Sequence, residues 1–391
     1  MLAVILGLLL LPCPALSEGL TLKTVSTVAG SDAAADTYTQ LLRRWEQETG
    51  NRVVDASAPS DEMWKTGVLL DFAAGNEADV LFYFTGTADS APILRRVVPV
   101  RELSAAYPAY AFPEDARCAE KDGQVYAIPV RGYWEGLFCN ADLFETYGVA
   151  LPTTWEALET AIQVFSRNGI VPIAVSLSDV PHYIAEFCIL ACGDAQSHAA
   201  RPKAGERVPD SWVDGLRLLR RLYELGAFSA DVCSTTESAA SRLFTSKQAA
   251  MQLDGSWFAN GLPRENMATT VVLPFPSHVG GEGALFQGVS MGFYLSRRVW
   301  NDEQRRDAAV DLLAYLSTGE NGAALGGYTY SGRLKESADQ MLLDTPAQIP
   351  FQDEMNGDAR TLWLSAIPAI AEGTLDPEKL WERVMALKPF E

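Results

Sequence analysis

Residues 126–158, YAIPVRGYWEGLFCNADLFETYGVALPTTWEAL, change character three times within one segment. A short apolar strand at 126–130 runs into an aromatic-rich stretch carrying Arg131, Tyr133 and Trp134. An Asn-Ala-Asp turn and a Gly-Val-Ala-Leu-Pro connection follow. Thr153 then opens a helix. With Glu156 three residues on it forms a capping box, and Trp155, Leu158, Ile162 and Phe165 share one helical face. No catalytic signature has this form.

Working outward, the chain before this segment alternates strand and helix. Residues 20–28 alternate as a strand. Tyr38, Leu41, Leu42 and Trp45 make a helical stripe closed by Gly50. Strands are expected at 52–55 and 78–84, with a helix at 63–74 stopped by Gly75. This order implies a mostly parallel sheet with helices on both faces. After Val130 a second series begins, with helices at 154–167 and 212–225 and strands at 249–253 and 270–273. A Gly-rich return (280–288) leads to a strand at 289–295 and a helix at 302–317 capped by Asn301.

Composition excludes several classes. The chain has 391 residues, 48% of them hydrophobic, enough for two packed domains. Its net charge of −19 repels phosphate backbones, so nucleic acid is not an expected partner. Residues 2–11, apolar apart from Gly7, are too short to span a bilayer and fit the h-region of a signal peptide. Ala15 and Ser17 supply the small residues for a cut before Glu18, giving a signal peptide at 1–17. Leu10-Leu11-Pro12-Cys13 is an imperfect lipobox that would instead anchor the chain by lipid at Cys13. The other cysteines are Cys118, Cys139, Cys188, Cys192 and Cys233. Their odd number argues against a complete disulfide framework. They read as small buried apolar residues, with a Cys188–Cys192 or Cys118–Cys139 bridge left open.

Gly288-Val289-Ser290-Met291-Gly292 matches a nucleophile elbow, but that fold needs its histidine downstream of the serine. His182, His198 and His278 all lie upstream, so the match is coincidental. No metal-ligand spacing or phosphate-binding loop is present, and no catalytic residue, metal or cofactor is expected.

Several blocks then carry a resemblance. LLRRWEQETGNRV (41–53), ADVLFYF (78–84), the 126–158 segment, FTSKQAAMQLDGSW (244–257) and PFPSHVGGEGALFQGVSMGFYLSRR (274–298) occur in order. Together they resemble the sugar-type extracellular solute-binding proteins of ABC importers, the maltose-binding-protein-like family. Cys139, Ala141 and Arg131 depart from the residues usual there. The resemblance implies an α/β, two-lobe periplasmic-binding-protein-like fold of type II, each lobe a mostly parallel sheet flanked by helices. It implies lobe one at 18–129 plus 287–333 and lobe two at 130–286 plus 334–391. Crossings fall near 128–132, 280–286 and 332–340, and ligand sits in the cleft between lobes. A monomer is expected, exported to the periplasm or cell exterior, free or lipid-anchored. Its partners are a mono- or oligosaccharide and a membrane permease, toward which it acts by hinge closure.

A sugar presents apolar C–H faces and a rim of hydroxyls, so flat aromatics and polar side chains are the candidate contacts. Trp257 follows a Gly-Ser turn at a strand end, and the resemblance places a stacking ring there. Tyr83 and Phe84 end a strand on opposite faces; Tyr83 is the expected contact. Of the neighbours Tyr133 and Trp134 only one can point inward. Trp134 is favoured, with Arg131 bonding hydroxyls or an acidic sugar, or else forming an inter-lobe salt bridge. Asp254 is a candidate acceptor, or a turn-stabilising residue. Trp363 is a candidate second stacking ring, with helix packing as its competing role. Two other functions fit the sequence: a glycoside-acting enzyme using a carboxylate pair, and capture of a polyamine, amino acid or ferric ion.

Overall fold

Two long strands organise the molecule. The computed structural model describes residues 19–390 apart from 31, 60–61, 88–89, 116–117 and 121. The expected signal segment at 1–17, with Cys13, lies outside the described residues. The strands are β1 (Thr21–Val25), β2 (Arg52–Asp55), β3 (Val80–Phe84), β4 (Ile128–Asn140), β5 (Val171–Ala174), β6 (Ala249–Gly255), β7 (Thr270–Leu273), β8 (Leu285–Leu295) and β9 (Ala347–Gln348). They form one sheet in the order β2-β1-β3-β8-β4-β6-β5, with β7 on β4 and β9 on β8.

β1 runs parallel to β2 and β3, and β5 parallel to β6, as short strands joined by helical crossovers must. β4 carries the chain out of the first lobe and β8 brings it back, so this pair is antiparallel. β8 also pairs β3, and β4 pairs β6 and β7, so hydrogen bonds run unbroken from one lobe to the other. The β4–β8 register slips on both sides of Arg131, between Pro129 and Gly132. Pro129 has no N–H to give the ladder, and a bulge there bends the strand.

The buried residues divide accordingly. Leu22 to Ile128 and Met291 to Leu325 contribute one core cluster, centred on Trp45, Phe82 and Phe293. Tyr133 to Phe286 and Phe351 to Met385 contribute another, centred on Phe187, Trp212 and Trp381. A smaller cluster joins Trp134 and Phe138 to Tyr330, Leu334 and Met341. Against crossings expected at 128–132, 280–286 and 332–340, the clusters change between 128 and 133, between 286 and 291, and between 325 and 330.

Local signals mostly acted as their chemistry requires. The helix Ala35–Thr49 buries Tyr38, Leu41, Leu42 and Trp45 and ends at Gly50, whose φ of 74° only glycine adopts readily. The helix Trp155–Arg167 starts one residue later than expected. The Thr153 N–H is spent on the Leu151 carbonyl, and Thr154 accepts from the Ala157 N–H at 3.3 Å. Asn301 does not cap the following helix. Asp302 builds a turn by accepting from the N–H groups of Gln304 and Arg305, which delays the helix to Arg306–Ser317. No disulfide joins the five described cysteines; Cys118, Cys139 and Cys188 are buried. No helix among the described residues is long and apolar enough to cross a membrane.

Candidate functional site

The site grows from where β4, β6 and β8 meet. Glu135 on β4 lies directly opposite Gly255 at the end of β6, so both point to the same face of the sheet. Tyr133, two residues before Glu135, shares that face. Immediately after β6 the chain turns into the short helix Ser256–Gly261, which throws the Trp257 ring back over Gly255. A Cβ on Gly255 would stand 2.4 Å from that ring, so only glycine fits. Likewise a Cβ on Gly288 of β8 would stand 2.8 Å from the Tyr133 ring.

Three rings therefore gather. Trp257 lies 6.4 Å from Tyr133 and 5.8 Å from Tyr183, at tilts of 42° and 43°. Tyr183 comes from the first turn of the helix His182–Ala191. Trp257 keeps 41% of its surface exposed, whereas most tryptophans of the chain are buried. Tyr328, also exposed, packs 5.2 Å from Tyr330 beside the hinge residue Gly132.

The end of β6 beside the rings is acidic, with Asp254 and Gln252 on the face opposite Glu135 and Gly255. Asp254 is buried and accepts from the Gln252 amide at 2.6 Å and the Gly255 N–H at 2.8 Å. Burial first, then the Glu237 carboxylate, raise Asp254 to about 8, against the lowering from those donors and the Trp257 indole. Burial also lifts Glu135 well above the usual carboxylate range, aided by Asp353, Glu186 and Asp254. Burial holds His182 neutral, down at about 3, reinforced by Arg360 and by Lys65 from the other lobe.

These shifts predict a pH effect with a definite sign. A folded-state pKa of about 8 for Asp254, against 3.8 when unfolded, means the fold keeps a proton that the open chain releases. The stability from this group is complete below the lower value and is lost as pH rises toward the upper one. Asp254→Asn cannot ionise. Its melting temperature is expected to gain on the parent's steadily from about pH 5 to pH 8 in ligand-free scans. A constant difference would mean that Asp254 titrates normally.

Trp257 and Asp254 thus come together as the sequence suggested. Four other candidates do not join them. Tyr83 is fully buried, packed 5.4 Å from Trp64 under the helix Glu62–Ala74, so Phe84 is the more open member of that pair. Trp134 is fully buried, stacked on Phe138 with its indole N–H donating to the Tyr330 hydroxyl at 2.9 Å. Trp363 packs against Phe351 and Trp381 in the interior. Arg131 is spent on the hinge. It pairs with Asp32 at 2.7 Å, donates to the Leu325 carbonyl at 2.9 Å, and lies over the Phe82 ring. Ser290 of the elbow-like motif donates to the Arg131 carbonyl at 3.4 Å, a hinge contact. Sequence reasoning missed Glu135, Tyr183 and Gln252. The signal for Glu135 was present: an acid inside an apolar strand is out of place in a core, and Tyr133, not Trp134, shares its face.

Comparisons with known proteins agree with this architecture. Residues 35–344 match the family model for bacterial extracellular solute-binding proteins. The melibiose/raffinose/stachyose-binding protein MelE of Bacillus subtilis (strain 168) is 21% identical over 315 residues, covering 76% of this chain and 70% of that protein. Among solved structures, a chitin oligosaccharide binding protein superposes with a TM-score of 0.80 at 18% identity, covering 94% of this chain and 97% of the other. The maltose/maltodextrin-binding domain MalE from Bdellovibrio bacteriovorus bound to maltotriose gives 0.69 at 17% identity, covering 94% and 98%. With most of its length matched by the family model, the chain belongs to the bacterial extracellular solute-binding proteins.

Proposed function

We propose that this chain is the exported receptor of an ABC importer, capturing a mono- or oligosaccharide between its lobes and presenting it to a membrane permease. The observation that carries the reading is the exposed Trp257 ring, flanked by Tyr133 and Tyr183 above buried acceptors, at the junction of the two lobes. A pyranose face stacks on such a ring while its hydroxyls turn to the polar end of β6, where Asp254 lies beside the Trp257 indole. The relative MelE and two binding proteins of the same fold are named for saccharides, which favours this ligand class. Lobe one comprises 18–129 plus 287–333 and lobe two 130–286 plus 334–391, with β4 and β8 as the flexing elements. The receptor acts as a monomer.

Closure does the work. Ligand shifts the open–closed equilibrium only by what it contacts in the closed form and lacks in the open one. The register slip around Arg131 is where β4 bends, and the Asp32–Arg131 pair holds the bulge to lobe one. A thermal-shift screen over mono- and oligosaccharides tests the proposal. A cognate sugar at about 100 times its Kd is expected to add about 2.7 kcal/mol, with a melting temperature that rises with the logarithm of concentration. Chromatography of the same mixtures is expected to return the sugar uncut. Cleavage products would select the glycoside-acting reading, and a flat screen would remove the saccharide.

A further inference from the structure

The parallel strands β5 and β6 end side by side, and the helices His182–Ala191 and Glu237–Thr245 begin there. This is the end of an open α/β sheet at which ligands are received. Between these four elements lies a cavity of about 10 Å³, room for one water-sized group. Its lining has two chemistries. Ala174, Val180 and Ala240 supply an apolar wall, and Gln252, Asp254 and Glu237 a polar one. Gln252 is 2% exposed, and its Oε1 is buried without a partner among the described residues. That amide cannot turn away, because its Nε2 donates to Asp254 at 2.6 Å and to the Ser241 hydroxyl at 3.2 Å. The Ser176 hydroxyl, also in the lining, is already used: it donates to the Thr235 carbonyl at 2.7 Å and accepts from the Asp179 N–H at 3.0 Å. The cavity adjoins the cup of three rings through two shared residues. Tyr183 lines it and lies 5.8 Å from the Trp257 ring; Asp254 lines it and lies beside the Trp257 indole.

Resting on the saccharide reading above, we propose that this cavity is a specificity pocket for the exocyclic hydroxymethyl group of a hexose whose ring stacks on Trp257. A group seated here must present an apolar carbon to the wall and a hydrogen-bond donor to the Gln252 Oε1. A methylene carrying a hydroxyl does both. A ring hydroxyl reaches one bond less far and brings no methylene of its own. A hydroxyl also accepts, and Asp254, which burial keeps protonated up to about pH 8, has a proton to give. A buried acceptor left without a donor is costly, so a site built around one rejects the analogue that lacks the hydroxyl.

The test is titration calorimetry of the full chain with sugars that differ only at this group. Glucose, 6-deoxyglucose and xylose carry hydroxymethyl, methyl and hydrogen at one ring position. Galactose, 6-deoxygalactose and L-arabinose repeat the series with the other C4 configuration, and cellobiose with xylobiose extends it to two rings. In each set that binds, the hydroxymethyl form is expected to be at least about 10-fold tighter, a difference of about 1.4 kcal/mol. Gln252→Met keeps the length of the side chain, removes the orphan acceptor, and is expected to bring that ratio close to one. Ala240→Val narrows the same cavity from the helix Glu237–Thr245 without removing a hydrogen bond and is expected to act likewise, with melting scans showing that each variant folds. On any sugar found by the screen, both variants are expected to lose about 10-fold in affinity; unchanged affinity in the folded variants overturns the pocket. Equal or tighter binding of the methyl or pentose form also overturns it, while saccharide capture stands. A screen in which no sugar binds removes the saccharide reading and the pocket with it.

Discussion

Replacing Trp257 by alanine is expected to weaken ligand binding by roughly 50- to 100-fold. A tryptophan side chain buries up to about 250 Å² when covered, and the 41% now open leaves about 100 Å² for a sugar face. At about 25 cal/mol per Å², covering that area contributes about 2.5 kcal/mol. The fold should tolerate the change, since the ring sits at the surface end of the cup rather than in a core cluster. Calorimetry on the best sugar from the screen, with circular dichroism as the check on folding, reads both quantities. Unchanged affinity in a folded Trp257→Ala protein would move the binding site elsewhere. Tyr83→Phe is the complementary control. Its ring is sealed beneath Trp64 and its affinity should match the parent's.

Asp79→Ala is expected to cost about 3–5 kcal/mol of stability, the largest loss foreseen for one side chain. The carboxylate is fully buried at the start of β3. It accepts from the Lys23 N–H at 2.8 Å, from Arg298 at 3.0 Å, and from Arg305. Removing it strands a backbone donor beside a void and leaves Arg305 only its 3.9 Å pair with Asp302. Arg298 keeps only its bond to the Glu77 carbonyl. Asp79→Asn retains the shape without the charge and should lose less. Urea unfolding reads the loss as a lower midpoint at unchanged slope. A shift under about 1 kcal/mol would show that the arginines find other partners.

The legible part of this molecule was the part that one segment decides for itself. The stripe from Tyr38 to Trp45, the strand–turn–helix of 126–158 and the Gly-Ser-Trp turn before Trp257 each depend on neighbours in the chain. What the sequence hid was phase. Strand alternation rightly required that Tyr133 and Trp134, and likewise Tyr83 and Phe84, take opposite faces. Which one meets the site is set by what lies across the sheet. Gly255, 120 positions beyond Glu135, opens the face that Tyr133 shares. The helix Glu62–Ala74 closes the face that Tyr83 occupies. Arg131 was read as a ligand group or an inter-lobe salt bridge, with nothing local to choose between them, because its carboxylate partner, Asp32, lies 99 positions away. Tyr183 and Gln252 had no local mark at all, since a tyrosine in a first helical turn and a glutamine in an apolar strand are ordinary until the cavity between them exists.

The sheet order has a consequence for how the chain acquires its shape. Among the described residues β8 alone separates β3 from β4, and it arrives late. From Phe84 to Leu285, roughly 200 residues must leave the ribosome before the open flank of β3 meets its neighbour, a long-range closure of the kind that slows folding. Until then the first three strands present an unpaired edge, which is a template for aggregation. Truncations ending before Leu295 should therefore be insoluble rather than yield a working half.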